Sequence, residues 1–159
     1  MQINQNHHLF MAKAIELAVS NISQGGGPFG AVIVKDNEII AEGSNQVTNH
    51  NDPTAHAEVQ AIRQACEKLS TFELNGCTLY TSCEPCPMCL GAIYWARIDA
   101  VYYGANRKDA AKINFDDDLI YQEIELLPSA RKLPFITIPT NDSLLPFETW
   151  EKYTKKTHY

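Results

Sequence analysis

Four side chains of this sequence have types and spacing that could do chemistry together. They stand as His56-Ala57-Glu58 and, after 26 intervening residues, as Pro85-Cys86-Pro87-Met88-Cys89. Cys86 and Cys89 are three apart in what reads as the first turn of a helix, so both sulfurs can face one point. Thiolates at a helix N-terminus also feel its positive end, which lowers their pKa. His56 begins a second expected helix. Side chains two apart in an ideal helix diverge by about 200°. In the first turn that matters less, because the Cα–Cβ bonds tilt toward the N-terminus and both groups can lean over the open end.

The pattern predicts two helix N-termini converging on one metal ion, with His56, Cys86 and Cys89 as ligands. A tetrahedral zinc with three protein ligands keeps a fourth position for water, which marks a catalytic site. Glu58 is then not needed as a ligand. It can take the water's proton and hand it on, as a general acid/base does. Two other readings stay open. Cys83 could complete a closed Cys3His knuckle, which leaves Glu58 without a purpose. Cys83-x-x-Cys86-x-x-Cys89 also matches part of a ferredoxin-type iron–sulfur run, although the Cys-Pro that follows in such runs is missing. Cys83 reads most simply as a small buried residue at a strand end. Either alternative would make the chain a non-catalytic zinc or redox-sensing module.

The rest of the composition narrows the class. The chain has 159 residues, 45% apolar and 20% charged, which is ordinary globular usage and excludes a low-complexity or collagen-like chain. The length suits one domain with one core. No apolar run reaches the roughly 18–20 residues of a membrane span, so no membrane partner is expected. Met1–His8 has neither a basic n-region nor an apolar h-region, so no signal peptide is expected and the cytoplasm is the default compartment. Five cysteines, three of them within residues 83–89, make a poor disulfide framework and suit metal binding in a reducing compartment. A net charge of −6 argues against nucleic acid, whose phosphates need clustered Lys and Arg. The glycine run 25–27 is not a phosphate loop, since it precedes a strand and no Gly-Lys-Ser/Thr follows.

The elements that must position these groups follow from periodicity. Leu9, Ala12, Ile15, Val19 and Ile22 recur at helical spacing and predict an amphipathic helix over about 7–23, with Asn6 as its cap. Residues 29–34 and 39–43 read as a hairpin around Asp36-Asn37-Glu38. Residues 44–53 read as a loop, 55–69 as a helix and 77–81 as a strand. A helix led by Pro85 and Pro87 follows to about residue 97, then a strand at 100–104. Asp116-Asp117-Asp118 suits the start of a helix to about 126. A last strand is expected at 135–138 and a last helix at about 146–156. Strands and helices alternate after the hairpin, which argues for α/β with a mostly parallel sheet.

Several stretches resemble a known family. The H-x-E and P-C-x-x-C pair is the signature of zinc-dependent nucleobase deaminases. Asn45, residues 53–58, residues 81–89 and Gly91-Ala92-Ile93 all fit it. Within that superfamily the sequence is similar to the bacterial guanine deaminases over nearly its whole length. The likeness includes residues 27–36, 51–59, 90–97, 104–106, 115–117 and a C-terminal tyrosine. The resemblance implies a single deaminase domain over residues 1–159. Its fold would be a cytidine deaminase-like three-layer α/β/α architecture with a five-stranded mixed sheet. It implies one Zn2+ per subunit and hydrolysis of guanine to xanthine and ammonia. Guanosine, cytosine and tRNA adenosine are alternative substrates for the same chemistry.

By the same resemblance Asn45 and Asp117 read the edge of a purine base. A homodimer exchanges its C-terminal segments, about 146–159, so that Tyr159 closes the neighbour's pocket. These residues also have plainer readings, and Tyr159 would ordinarily be part of a frayed end. Asn45 follows a strand and can hold its own loop by an Asx-type bond. Asp117 can be part of a solvated helix start. Phe29 and Trp95 are further candidates to line the pocket, although aromatics at such spacing are more often core.

Overall fold

Strands β1 (Gly30–Lys35) and β2 (Glu38–Ser44) form the expected hairpin in a computed structural model that describes residues 5–159. Residues 1–4, on which part of the reading of an absent signal peptide rests, lie outside the described residues. The two turn residues, Asp36 and Asn37, have φ of 49° and 69°, as a primed two-residue turn requires. β3 (Cys77–Cys83) pairs antiparallel with β1, and β4 (Ala100–Ala105) pairs parallel with β3. The order β2-β1-β3-β4 is a mixed sheet. Among the described residues it has four strands instead of the expected five, and only the β3–β4 pairing is parallel.

The chain divides into two compact units, one ending at Asp117 and one spanning Asp118–Tyr159. In the first, side chains alternate across the sheet. Ala31, Ile33 and Leu79 point to one face and pack with α3 (Ala57–Leu69) and α4 (Pro87–Trp95). Val32, Val34 and Tyr80 point to the other and pack with α1 (Gln5–Ser23). Both faces are covered, so the strands read as continuous apolar runs. The result is a three-layer α/β/α arrangement. A short helix, α2 (Val47–His50), lies inside the stretch expected to be loop. Helix α5 (Arg107–Ala111) starts on a capping box between Asn106 and Asp109.

Helix α1 is present, but the sequence reading chose the wrong face. Leu9, Ile15, Val19 and Ile22 are exposed, while Ala14, Ala18 and Asn21 are buried against the sheet and Phe10, Met11 and Leu17 are partly buried there. Small residues win because they let the helix backbone approach β1 closely. Asn6 lies within the helix and donates from Nδ2 to Asn37 Oδ1, 3.1 Å away, so it is not a cap.

The second unit holds α6 (Asp118–Glu125), a 3-10 turn at Pro128–Ala130 and α7 (Leu145–Lys152). The expected strand at 135–138 has no regular structure there. Pro134 and Pro139 bracket it, and each removes a backbone donor that a ladder needs. No described helix is long and apolar enough to cross a membrane.

Helix α3 sets the position of His56 and Glu58. Ala57, Ala61 and Ala65 recur every four residues and are fully buried, forming a smooth ridge against the sheet. Gly43 on β2 completes the fit: a Cβ there would lie 2.2 Å from the Ala57 carbonyl oxygen and 2.6 Å from the Ala61 nitrogen. Helix and strand backbones therefore touch. Gly43→Ala is expected to destabilise the protein by about 2 kcal/mol through overpacking, read as a lowered urea midpoint with an unchanged slope.

Candidate active site

Both helices that face the site begin at a prospective ligand. His56 is the N-cap of α3 and Cys86 the N-cap of α4. Both have extended backbone, with ψ of 156° and 168°. That places each one residue before the helix, whereas the sequence reading put them in the first turn. Pro87 takes the first position of α4, where a missing N–H costs nothing. Cys89 follows one turn later and is buried.

His56 Nδ1 lies 3.5 Å from both Cys86 Sγ and Cys89 Sγ, and the ligand atoms of all three lie within 4.8 Å of one another. Glu58 is buried beside them. Its Oε2 is 3.3 Å from Cys89 Sγ, and its Oε1 accepts a hydrogen bond from Thr81 Oγ1 at 3.3 Å. Cys83 takes no part in this group. Its thiol points to the Asn106 carbonyl oxygen, 3.7 Å away, and burial pushes its pKa up to about 11.

The electrostatics of the group are those of a site with shared protons. Hydrogen bonding from Cys89, and then from His56, holds Cys86 down to about 4 against the burial that opposes ionisation. Cys89 is raised in turn by its bond to Cys86, by burial and by the Glu58 charge. His56 is raised by its bond to Cys86, which outweighs its burial. Glu58 is raised by burial. One imidazole and two thiols at one point are a soft donor set that suits zinc. A dication there would take the place of the shared protons, because thiols bind metal as thiolates. The residues present therefore fit a three-ligand zinc centre, with the Glu58 carboxylate beside it.

The other sequence candidates fall in different places. Asn45 directly follows β2 and is buried. Its Oδ1 accepts from the Val47 N–H at 3.3 Å, the Asx-type bond of the plainer reading, and that bond does not use its Nδ2 donors. Asp117 is partly buried, which raises its pKa, and it is close enough to feel the charge of Cys86. Phe29 packs on the core beside α3 and meets Phe115 edge-on, with ring centres 4.9 Å apart. Trp95 stands apart. It is 63% exposed at the far end of α4, about two and a half turns from Cys86, with Arg97 over its ring. Tyr159 belongs to the second unit and is exposed.

Thr81 escaped the sequence reading. It is 1% exposed at the centre of β3. A hydroxyl in a strand buried on both faces needs a partner, and that is the signal that could have singled it out. Glu84 was also missed. Its Oε2 accepts from the Arg107 N–H at 3.0 Å and ties the loop before α4 to the start of α5.

Comparison with known proteins agrees with this geometry. Residues 4–105 match the family described as the cytidine and deoxycytidylate deaminase zinc-binding region. The chain is 55% identical over 155 residues to a guanine deaminase of Bacillus subtilis (strain 168), covering 97% of this chain and 99% of that protein. A crystal structure of guanine deaminase from Bacillus subtilis superposes with a TM-score of 0.95 at 53% identity, covering 99% of each chain. A tRNA-specific adenosine deaminase of Aquifex aeolicus (strain VF5) is 45% identical over 96 residues, which is 60% of this chain and 64% of that protein. Family match and near full-length identity agree with one another and with the two helix starts that meet at His56 and Cys86. The chain belongs to the cytidine and deoxycytidylate deaminase family.

Proposed function

We propose that this protein hydrolyses guanine to xanthine and ammonia, with one zinc ion per subunit held by His56, Cys86 and Cys89. The carrying observation is a buried carboxylate, Glu58, against a three-ligand group. The choice of guanine is supported by 55% identity to a guanine deaminase over 97% of the chain. Zinc in this setting supplies Lewis acidity that brings the pKa of a water to near neutrality. Guanine's C2 is the electrophilic carbon. Water's oxygen forms the new bond there, and the exocyclic amine leaves as ammonia.

Glu58 carries the protons. It takes one from the water and gives it to a ring nitrogen as C2 becomes tetrahedral. It then takes the second from the new C2 hydroxyl and gives it to the amine, which departs as ammonia while the C2 carbonyl forms. Burial raises its proton affinity, which suits a group that must both accept and return a proton. Thr81 donates to Oε1 and leaves Oε2 on the side of Cys89. Asn45 and Asp117 read the purine edge, with Phe29 beside them. An Asn offers a donor and an acceptor, and an ionised Asp offers acceptors only. That combination suits a base bearing a carbonyl and ring N–H groups.

The tRNA-specific relative makes a tRNA adenosine the second reading. The net charge of −6 counts against it, because a tRNA surface needs clustered cations. The free state of all five cysteines supports a reducing compartment such as the cytoplasm. The partner is a second copy of the chain, and the domain is completed by exchange of residues 146–159, with Tyr159 closing the neighbour's pocket. The many exposed apolar side chains between residues 118 and 159, such as Ile136, Ile138, Phe147 and Trp150, support this, since large uncovered apolar patches mark interfaces.

The direct test is ammonia release from guanine, guanosine, cytosine, cytidine and a tRNA substrate side by side, with guanine expected to be turned over and the tRNA adenosine left unchanged. Glu58→Gln is expected to lower guanine turnover by about 10²–10⁴-fold at unchanged zinc content; full activity would take the proton-carrying role from Glu58, whereas no turnover by the unmodified zinc-loaded protein would return the chain to a non-catalytic zinc or redox module. Cys86→Ala is expected to lose zinc in elemental analysis and Cys83→Ala to keep it, and the reverse would move the ligand set. Removing residues from about 150 onward is expected to cut guanine turnover sharply, and a fully active monomer lacking them would refute the exchange.

A further inference from the structure

We infer that Asn21 is a positioning residue for base recognition: its buried amide, with the Gly26 backbone lying on it, fixes the main chain from which Asn45 projects. The inference rests on the reading of Asn45 as a base-binding residue. Asn21 sits on the sheet-facing side of α1 and is 1% exposed. A leucine of similar size would fill the same space, so packing alone does not call for an amide.

The amide makes three hydrogen bonds. Nδ2 donates to the Asn45 carbonyl at 2.7 Å and to the Gly27 carbonyl at 2.8 Å. Oδ1 accepts from Gln46 Nε2 at 3.0 Å, and the same nitrogen donates to Ser44 Oγ at 2.8 Å. One side chain thereby joins α1, the glycine loop and the segment that leaves β2. On its other side, the Asn45 N–H donates to the Phe29 carbonyl at 3.1 Å. The backbone of Asn45 is pinned at both ends, by Phe29 and by Asn21.

The glycine run now has a reason. A Cβ on Gly26 would lie 2.2 Å from Asn21 Nδ2 and 2.5 Å from the Asn45 carbonyl oxygen, and one on Gly27 would lie 3.1 Å from Asn45 Oδ1. The loop can close onto the bracket only without side chains. Among the described residues, the hydrogen bonds of Asn21 go to this loop and to residues 45 and 46, and none goes to His56, Glu58, Cys86 or Cys89. Those four rest on α3, α4 and β3. The bracketed segment meets the residue before His56 through the Gln46 N–H, which donates to the Ala55 carbonyl at 2.9 Å, a main-chain bond that does not use the Asn21 amide. Loosening the bracket should therefore weaken binding of the base and leave the chemical step alone.

The test is a double-mutant cycle on the zinc-loaded protein, with KM and kcat for guanine measured separately. Asn45→Ala is expected to raise KM. Asn21→Ala is expected to raise KM by about tenfold, with kcat and zinc content close to wild type. The double variant is expected to be no worse in KM than Asn45→Ala alone, because Asn21 acts through Asn45. Gln46→Met, which frees Oδ1 without removing the donors, is expected to shift KM in the same direction by less. If Asn21→Ala fails to fold, Gln46→Met carries the same cycle against Asn45→Ala. Two results would overturn the inference: unchanged KM in a zinc-replete Asn21→Ala protein, or KM effects that multiply in the double variant. Unchanged KM in Asn45→Ala is a different failure. It would remove the binding role of Asn45, and the bracket's purpose with it.

Discussion

A carboxylate and two thiols held within hydrogen-bond distance of one another, out of water, is an arrangement that charge repulsion opposes. Glu58 is buried, and its Oε2 is 3.3 Å from Cys89 Sγ. Buried negative charges are tolerated only when paired with a proton or a cation. Alone, the group resolves this by protons: Cys86 carries the negative charge and Cys89 and Glu58 are driven toward their neutral forms. A soft dication resolves it differently, neutralising both sulfurs and leaving the carboxylate able to exchange protons. The site is unfavourable unless something positive occupies it, which makes metal affinity and acid/base chemistry two consequences of one arrangement.

Holding that arrangement requires rigid walls, and the protein builds them from its smallest residues. Ala57, Ala61 and Ala65 lay α3 on the sheet, and Gly43 removes the last Cβ between helix and strand. Close backbone approach leaves little play at the helix start, where His56 and Glu58 sit. Precision here comes from small residues in contact, since a well-packed interior deforms little. The β3 strand supplies the third wall, and the buried hydroxyl of Thr81 is spent on the Glu58 carboxylate.

Much of this was legible in the sequence, and the failures have physical causes. The meeting of His56, Cys86 and Cys89 beside Glu58 was readable because thiolate, imidazole and carboxylate chemistry constrains residue type and spacing tightly. The hairpin was readable because Asp36-Asn37 can adopt positive φ. The buried face of α1 was not, because the hydrophobic stripe Leu9–Ile15–Val19–Ile22 outweighs Ala14, Ala18 and Asn21 on any apolar count, whereas close packing favours the smaller set. The apolar run 135–138 has strand composition, but its flanking prolines deny it ladder donors. Asn21 was invisible for a related reason. A polar residue on a helix reads as solvent-facing until the loop that its amide holds is placed beside it.

The two halves of the proposed reaction are held by different means, and the difference has a physical logic. The proton-carrying and metal-holding groups rest on helices and a central strand through apolar contact, which tolerates no adjustment. Asn45 rests on a loop secured by directional bonds from Asn21 and Phe29. A hydrogen-bonded bracket fixes the register of a donor and an acceptor without filling the space in front of them. Recognition of a flat polar edge needs that combination, because a site rejects the wrong base by leaving its own polar groups unpaired. If the amide of Asn45 could swing by even one rotamer, it could find a partner for the wrong base and the penalty would vanish. In the proposed reaction, selectivity thus depends on an immobile main chain at residue 45, and catalysis on an immobile helix start at residue 56.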